Sequence, residues 1–370
     1  MKKIFKFLIY MFYVAFSFFF SRKGLLQNRD FIRVGFFSVT KVEQAYTSGD
    51  SSILEFTKIF NAILSQEINH NLSLSNLRKI KHQELNIMIT RDIISFVVLD
   101  IMRLFGSYNY DLIYYATDVF SNRVDTQKRS LKQFIYIYSI DVLESLVWSR
   151  ADFIFANRLD ECEKISGINS AVFLVPAKSR LSIPMRLQFP DHISGLRFIF
   201  VGASGNLPNR QSIETFLREY WPTLINRYPL SSLKIIGGNW DEYITPPSRV
   251  ILTGFLTDEE LVMEYENADF SICYLDYGAG VKGKVLEAME HNTLALGNAV
   301  AFEGINCEAL VPLESATDLV EQVEGYLVPE SYSNTIGRYH DFLATNYSRE
   351  LIEKKIQSII SIINKTTEEK

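Results

Sequence analysis

The stretch "DFSICYLDYGAGVKGKVLEAMEHNTLALGN", residues 269–298, decides the fold. A short apolar run ends at Leu275, a loop carrying Gly278 and Gly280 follows, a helical stretch spans Lys282 to Glu290, and "TLALGN" (293–298) returns to the first pattern. A short apolar run bounded by turn residues reads as a buried strand, so the whole is one strand-helix-strand unit of a parallel sheet. Ligands of open parallel sheets sit at the carboxyl ends of strands, which places the loop Asp276–Gly280 in a binding crevice. Gly278 and Gly280 permit positive φ and close approach of backbone amides, and Val281 opens the helix behind them. The free N–H groups of that helix attract an anion. Lys282 and Lys284 add two full charges, a combination suited to a diphosphate. Glu287, one turn on, repels phosphate and has to face another group; a carboxylate accepts two hydroxyl hydrogen bonds, as acidic residues do for ribose. The plainer alternative is a solvated helix start with a weak Lys284–Glu287 pair. Asn292 stands just past the helix, where a left-handed residue closes it.

Working back towards the N-terminus, the same rhythm repeats. "LRFIFVG" (196–202), "LKIIGG" (233–238), "RVILTG" (249–254) and "DFSICYL" (269–275) predict four strands, and "TLALGN" a fifth. Between them, "QSIETFLREYWPTLINRY" (211–228) predicts one amphipathic helix, and Thr257 with Glu260 forms a capping box ahead of "DEELVMEYENA". This is a doubly wound, nucleotide-binding architecture. Gly202, Ser204 and Gly205 form a loop at a strand end where phosphate or sugar can approach.

The first half is less regular. "DLIYYA" (111–116), "DFIFAN" (152–157) and "AVFLVP" (171–176) alternate with helical stretches around 124–149 and 158–166, again the pattern of a parallel sheet. Ala177 to Gly195 has two prolines and little periodicity and reads as a linker. The expected organisation is an apolar segment at 1–23, a Rossmann-like domain at 24–180, a nucleotide-binding domain at 195–330 and C-terminal helices at 331–370. With 370 residues, 47% of them hydrophobic, the chain fills two cores.

A net charge of −5 provides no general basic field, which argues against nucleic acid as a partner. Three widely spaced cysteines and five histidines without ligand spacing argue against a disulfide framework or a metal site, and the expectation is no metal and no cofactor. "FLIYMFYVAFSFFF" (7–20) is uncharged between flanking basic residues. It is shorter than the roughly 20 residues of an ordinary span, and no small-residue cleavage site follows. A membrane-associated helix is expected, with a buried core helix as the alternative.

Taken together, "FVGASGNLPNRQSIETFLREYWPTL", "LKIIGG", "VILTGFLTDEELVMEYENADFSICYL" and "GAGVKGKVLEAMEHNTLALGNAVAFEGI" resemble the donor half of family 4 glycosyltransferases of the GT-B fold, over residues 196–306. The resemblance implies two Rossmann-like domains facing a cleft and metal-independent, usually retaining, transfer from a nucleotide sugar. By motif position, it also implies that Glu287 binds the donor ribose and that Lys282 and Lys284 hold the diphosphate. Two features depart from the family: Ala279 stands where a sugar-contacting glutamate is frequent, and "FVGASGNLPN" has no basic residue before Arg210, which is the candidate substitute.

On the acceptor side, "YATDVFSNR" (115–123) resembles the segment in which an acid and an arginine follow a central strand, giving Asp118 and Arg123 as candidates; a turn-capping Asp118 and a solvated Arg123 are the alternative. Thr47, Ser48 and Gly49 are candidates for a loop near the donor sugar. The resulting expectation is a hexosyl-type transferase, with Asp118 and Lys284 as the catalytic pair, at the cytoplasmic face of the cell membrane. Its expected role is to build a bacterial surface polysaccharide on a saccharide or lipid-linked acceptor. The competing expectations are a non-catalytic subunit of a glycan-synthesis complex and a sugar-nucleotide epimerase.

Overall fold

The computed structural model describes residues 33–38, 56–61, 63, 69–71, 85–105, 110–116, 131–175, 185, 195–278 and 280–368. The 7–20 segment, Thr47, Ser48, Gly49, Asp118, Arg123 and Ala279 lie outside the described residues, as does nearly all of the expected linker. Among the described residues, no helix is long and apolar enough to cross a membrane. The chain divides into two units, Met1–Lys178 with Glu350–Lys370, and Ser179–Arg349.

The first unit is built on six strands: β1 (Val34–Ser38), β2 (Asn69–Asn71), β3 (Ile87–Thr90), β4 (Asp111–Ala116), β5 (Phe153–Ala156) and β6 (Val172–Leu174). They lie in the order β2-β1-β3-β4-β5-β6, and every pairing is parallel. Alternate residues of each strand serve opposite faces. Phe36, Ile87, Ile89, Ile113, Tyr115, Phe153 and Phe155 share one core, while Phe37, Met88, Leu112, Tyr114 and Ile154 share another. Both faces are therefore covered, which explains why "DLIYYA" reads as a continuous apolar run. Helices α1 (Ile93–Phe105), α2 (Leu131–Arg150) and α3 (Leu159–Ser166) contribute to the second core. Buried Asp100 on α1 pins that layer: it pairs with Arg150 and, at 2.9 Å, with Arg103, which also bonds Asp152. Burial lowers and the two aspartates raise the proton affinity of Arg103, with a net rise.

The other core takes its cover from residues 56–60 and from the last helix of the chain. Ile352, Ile356, Ile359 and Ile363 recur at helical spacing and pack beneath β1, β3, β4 and β5. The 331–370 segment thus splits: α10 (Pro329–Tyr347) packs in the second unit's core, whereas α11 (Arg349–Glu368) belongs to the first.

The second unit has five parallel strands, β7 (Arg197–Val201), β8 (Ser232–Ile236), β9 (Val250–Gly254), β10 (Phe270–Ile272) and β11 (Leu294–Leu296). Their order is β11-β10-β7-β8-β9, so the chain winds one way from β7 to β9 and the other way from β10 to β11. The topological switch lies between β7 and β10, where such sheets bind ligands beyond the strand ends.

The helices of this unit are α4 (Leu207–Glu219), α5 (Trp221–Arg227), α6 (Asp258–Asn267), α7 (Gly283–Glu290), α8 (Ala299–Phe302), α9 (Ala316–Tyr326) and α10. The single helix expected over 211–228 is two. It starts earlier, with Pro208 in its first turn, and breaks at Tyr220 because Pro222 has no N–H to continue the ladder. The capping box is present, with Thr257 Oγ1 accepting from Glu260 N at 3.2 Å and Glu260 Oε2 from Thr257 N at 2.8 Å. Asn292 closes α7 at φ 61°.

Candidate functional site

Two loops flank the switch point, Gly202–Asn206 after β7 and Cys273–Lys282 after β10. Glycines stitch the neighbouring strand ends together. Gly202 N donates to Ile236 O and Gly237 N to Gly254 O, each at 2.9 Å, and Gly202 O accepts from Trp240 Nε1 at 2.8 Å. At Gly237, φ is +138° and a Cβ would lie 2.3 Å from Gly202 O, so only glycine fits. Ser204 is buried with its hydroxyl against the carbonyls of Gly238 and Asn239, at 2.9 and 3.0 Å. Its proton therefore holds the β7 loop to the β8 loop.

The loop after β10 is fastened from two sides. Asn298 accepts from Leu275 N and donates to Leu275 O, while Ser212 Oγ on α4 accepts from Asp276 N at 2.8 Å. Thr215 donates to the Asp276 carboxylate at 3.0 Å, and Tyr277 OH donates to Gln211 at 2.5 Å. Gly280 adopts φ +74°, as a glycine turn requires, whereas a Cβ on Gly278 would meet only ordinary contacts with Lys282 and Leu275.

The two lysines do different work. Lys282 is 7% exposed and caps α7, and its ammonium turns back on its own loop. It donates to Gly280 O at 2.7 Å and Gly278 O at 3.4 Å, and it pairs with Glu303 at 3.5 Å. In a trans peptide the carbonyl and the next N–H point in opposite directions, so this clamp turns the Val281 N–H away from Lys282. Lys284 reaches across the switch point instead. Its Nζ donates to Asn209 Oδ1 on α4 at 2.9 Å and lies 4.2 Å from the centre of the Phe200 ring of β7. Desolvation by burial lowers its pKa to about 8; attraction to Cys273 and Glu287 opposes the fall, and Lys282 adds to it. Beneath it, burial pushes the Cys273 thiol up to about 11. Glu287, partly exposed, stands one turn along α7 from Lys284. Arg210, the candidate substitute base, stacks on Tyr243 at 4.2 Å.

Helices α4 and α7 start beside the switch point with no acid in their first turns and no side-chain cap; the short α5 and α8 also lack a first-turn acid, whereas α6, α9 and α10 have one. Uncompensated N–H groups and Lys284 make a pole suited to an anion. Among the predicted binding residues, the structure brings Gly202, Gly280, Val281, Lys282, Lys284 and Glu287 to the strand ends beside the switch, with Ser204 as a fastening beneath. Asn209 and Phe200 were not legible as site residues. Asn209 falls ahead of the helix expected from 211, and Phe200 is one of several strand aromatics.

Residues 196–328 match the family described as Glycosyl transferases group 1. Among solved structures, the fold is similar to that of Anabaena HepE crystallised with UDP and glucose, at 12% identity and TM-score 0.62, covering 90% of this chain and 100% of that one. It is also similar to the apo lipopolysaccharide outer core galactosyltransferase WaaB, at 13% identity and TM-score 0.54, covering 88% and 98% of the two chains. TarM is similar at 12% identity and TM-score 0.55 over 74% of this chain, which spans 54% of TarM. Among curated proteins, none matches in sequence. Residues 196–328 thus match a group 1 glycosyltransferase domain, and the fold of the chain is similar to that of solved glycosyltransferases.

Proposed function

We propose that the chain transfers a sugar from a nucleoside-diphosphate donor, bound at the β7/β10 switch point, to a saccharide or lipid-linked acceptor. In this reading the transfer is metal-independent, retains anomeric configuration and serves bacterial surface polysaccharide synthesis at the inner face of the cell membrane. The observation that carries it is Lys284, a lysine held across the switch point by Asn209 between two acid-free helix starts. The complexes of HepE with UDP and with UDP-glucose support the choice of donor class.

As the bond from the anomeric carbon to the diphosphate breaks, positive charge develops on the sugar and negative charge on the departing phosphates. In this reading Lys284 neutralises the latter, together with the Val281 amide and the α7 N-terminus. Lys282 shapes the loop that presents those amides. Glu287 accepts the ribose hydroxyls. Asp118 and Arg123 remain the acceptor-side proposal, Asp118 orienting the attacking hydroxyl.

The test is turnover. Purified protein is incubated with UDP-, GDP- and ADP-sugars and a lipid extract bearing undecaprenyl-linked saccharides, and nucleoside diphosphate release is followed. Acceptor-dependent release from one donor class is expected; binding without release from any of them would refute transfer by this chain.

A further inference from the structure

Lys284 does not hold its own position. Its stem rises from the first turn of α7, and its ammonium ends between the Phe200 ring and the Asn209 amide, 2.9 Å from Oδ1. The Asn209 amide is itself fixed: Nδ2 donates to Ala203 O at 3.3 Å, and the side chain is buried. The space it fills exists because residue 202 is glycine, since a Cβ there would stand 2.6 Å from Asn209 Nδ2. Glycine at the end of β7, asparagine in the first turn of α4 and lysine in the first turn of α7 therefore form one chain of contacts across the switch point.

We propose that Asn209 is a positioning residue, which aims the Lys284 ammonium at the donor diphosphate and acts through that lysine alone; the role rests on the donor reading above. The asparagine suits this task chemically. Its carbonyl oxygen accepts from an ammonium but carries no charge that would repel phosphate, as an aspartate would. The ionisable groups that act on Lys284 are the Cys273 thiol beyond β10, Glu287 on its own helix α7 and Lys282 at the α7 cap, and none is on α4. Removing the Asn209 carbonyl thus takes away the polar partner from that side.

Two near-isosteric variants and two readouts test the proposal. With 13C-labelled lysine, assigned by Lys284→Met, the Lys284 signal is titrated in wild type, Asn209→Leu and Asn209→Asp, without any nucleotide. The wild-type midpoint is expected at about 8. In Asn209→Leu it is expected to fall by about one unit, a tenfold change in protonation, and in Asn209→Asp to rise. UDP, GDP and ADP binding is then measured in a cycle with Lys284→Met. Asn209→Leu is expected to weaken binding about tenfold in the wild-type background and less than twofold once Lys284 is gone. Unmoved midpoints, or an equal loss in both backgrounds, overturn the positioning role and leave the donor reading standing. Failure of the wild type to bind any of the three nucleotides overturns the donor reading, and the positioning role with it.

Discussion

Lys284→Met isolates the charge at the centre of the site while keeping an unbranched apolar stem over Phe200. The side chain gives up one hydrogen bond, to Asn209, and one cation–π contact. Because burial has already lowered its pKa from 10.5 to about 8, the ammonium sits there at a cost in folding free energy. Below pH 8 the folded and unfolded chains both hold the proton, and the cost is fully present. Between about 8 and 10.5 the unfolded chain binds a proton that the folded one has released, so this group's contribution to stability rises with pH across that window. Replacing the lysine by methionine is therefore expected to leave the melting temperature at pH 7 unchanged or higher. Activity has the opposite sign. At pH 7 a group with pKa near 8 is about nine-tenths protonated, and at pH 9 about one-tenth. As the free-enzyme parameter, kcat/KM is expected to fall through an alkaline limb centred near pH 8, and Lys284→Met to lose about 3 kcal/mol of transition-state stabilisation, roughly a hundredfold in kcat. The assay is donor turnover from pH 6 to 10 beside thermal melts of both proteins. Wild-type turnover in the variant, or its clear destabilisation at pH 7, would refute the assignment.

Gly237→Ala places a Cβ 2.3 Å from a backbone oxygen at φ +138° and is expected to cost at least about 2 kcal/mol, read by urea unfolding. Thr257→Ala breaks the capping box and is expected to cost about 1 kcal/mol with donor binding intact, which calorimetry checks. Ile356→Ala hollows the core between α11 and the first sheet and is expected to cost about 2–5 kcal/mol, visible as earlier amide exchange in β3 and β4 with the second sheet unaffected. Asp100→Ala takes from buried Arg150 its Asp100 carboxylate while Arg103 keeps Asp152, an expected loss of about 3–5 kcal/mol by thermal or chemical melt.

The second unit was legible because each of its strands is short, apolar and followed by a turn residue, and the caps at Thr257 and Asn292 are local chemistry. What local patterns miss is long-range. The isoleucines of α11 announce a helix with one apolar stripe, but nothing in the stripe says that it returns to β1, β3, β4 and β5. The amphipathic pattern over 211–228 runs unbroken through Pro222, so its apolar residues outweigh the missing N–H until the chain is seen to bend at Tyr220. Two lysines two residues apart looked equivalent, yet one side chain folds back on Gly280 and the other crosses to α4. That difference depends on loop curvature, which charge spacing does not encode. Asn209 was hidden for the same reason, since its partner lies 75 positions away.

The most direct test of the diphosphate site is a calorimetric titration of the full chain with UDP, GDP and ADP, with the parent nucleosides as controls. The account predicts saturable heat with at least one diphosphate, none with its nucleoside, and a strong loss of affinity in Lys284→Met. Equal heats for nucleoside and diphosphate, or no heat with any of the three at millimolar concentration, would contradict it.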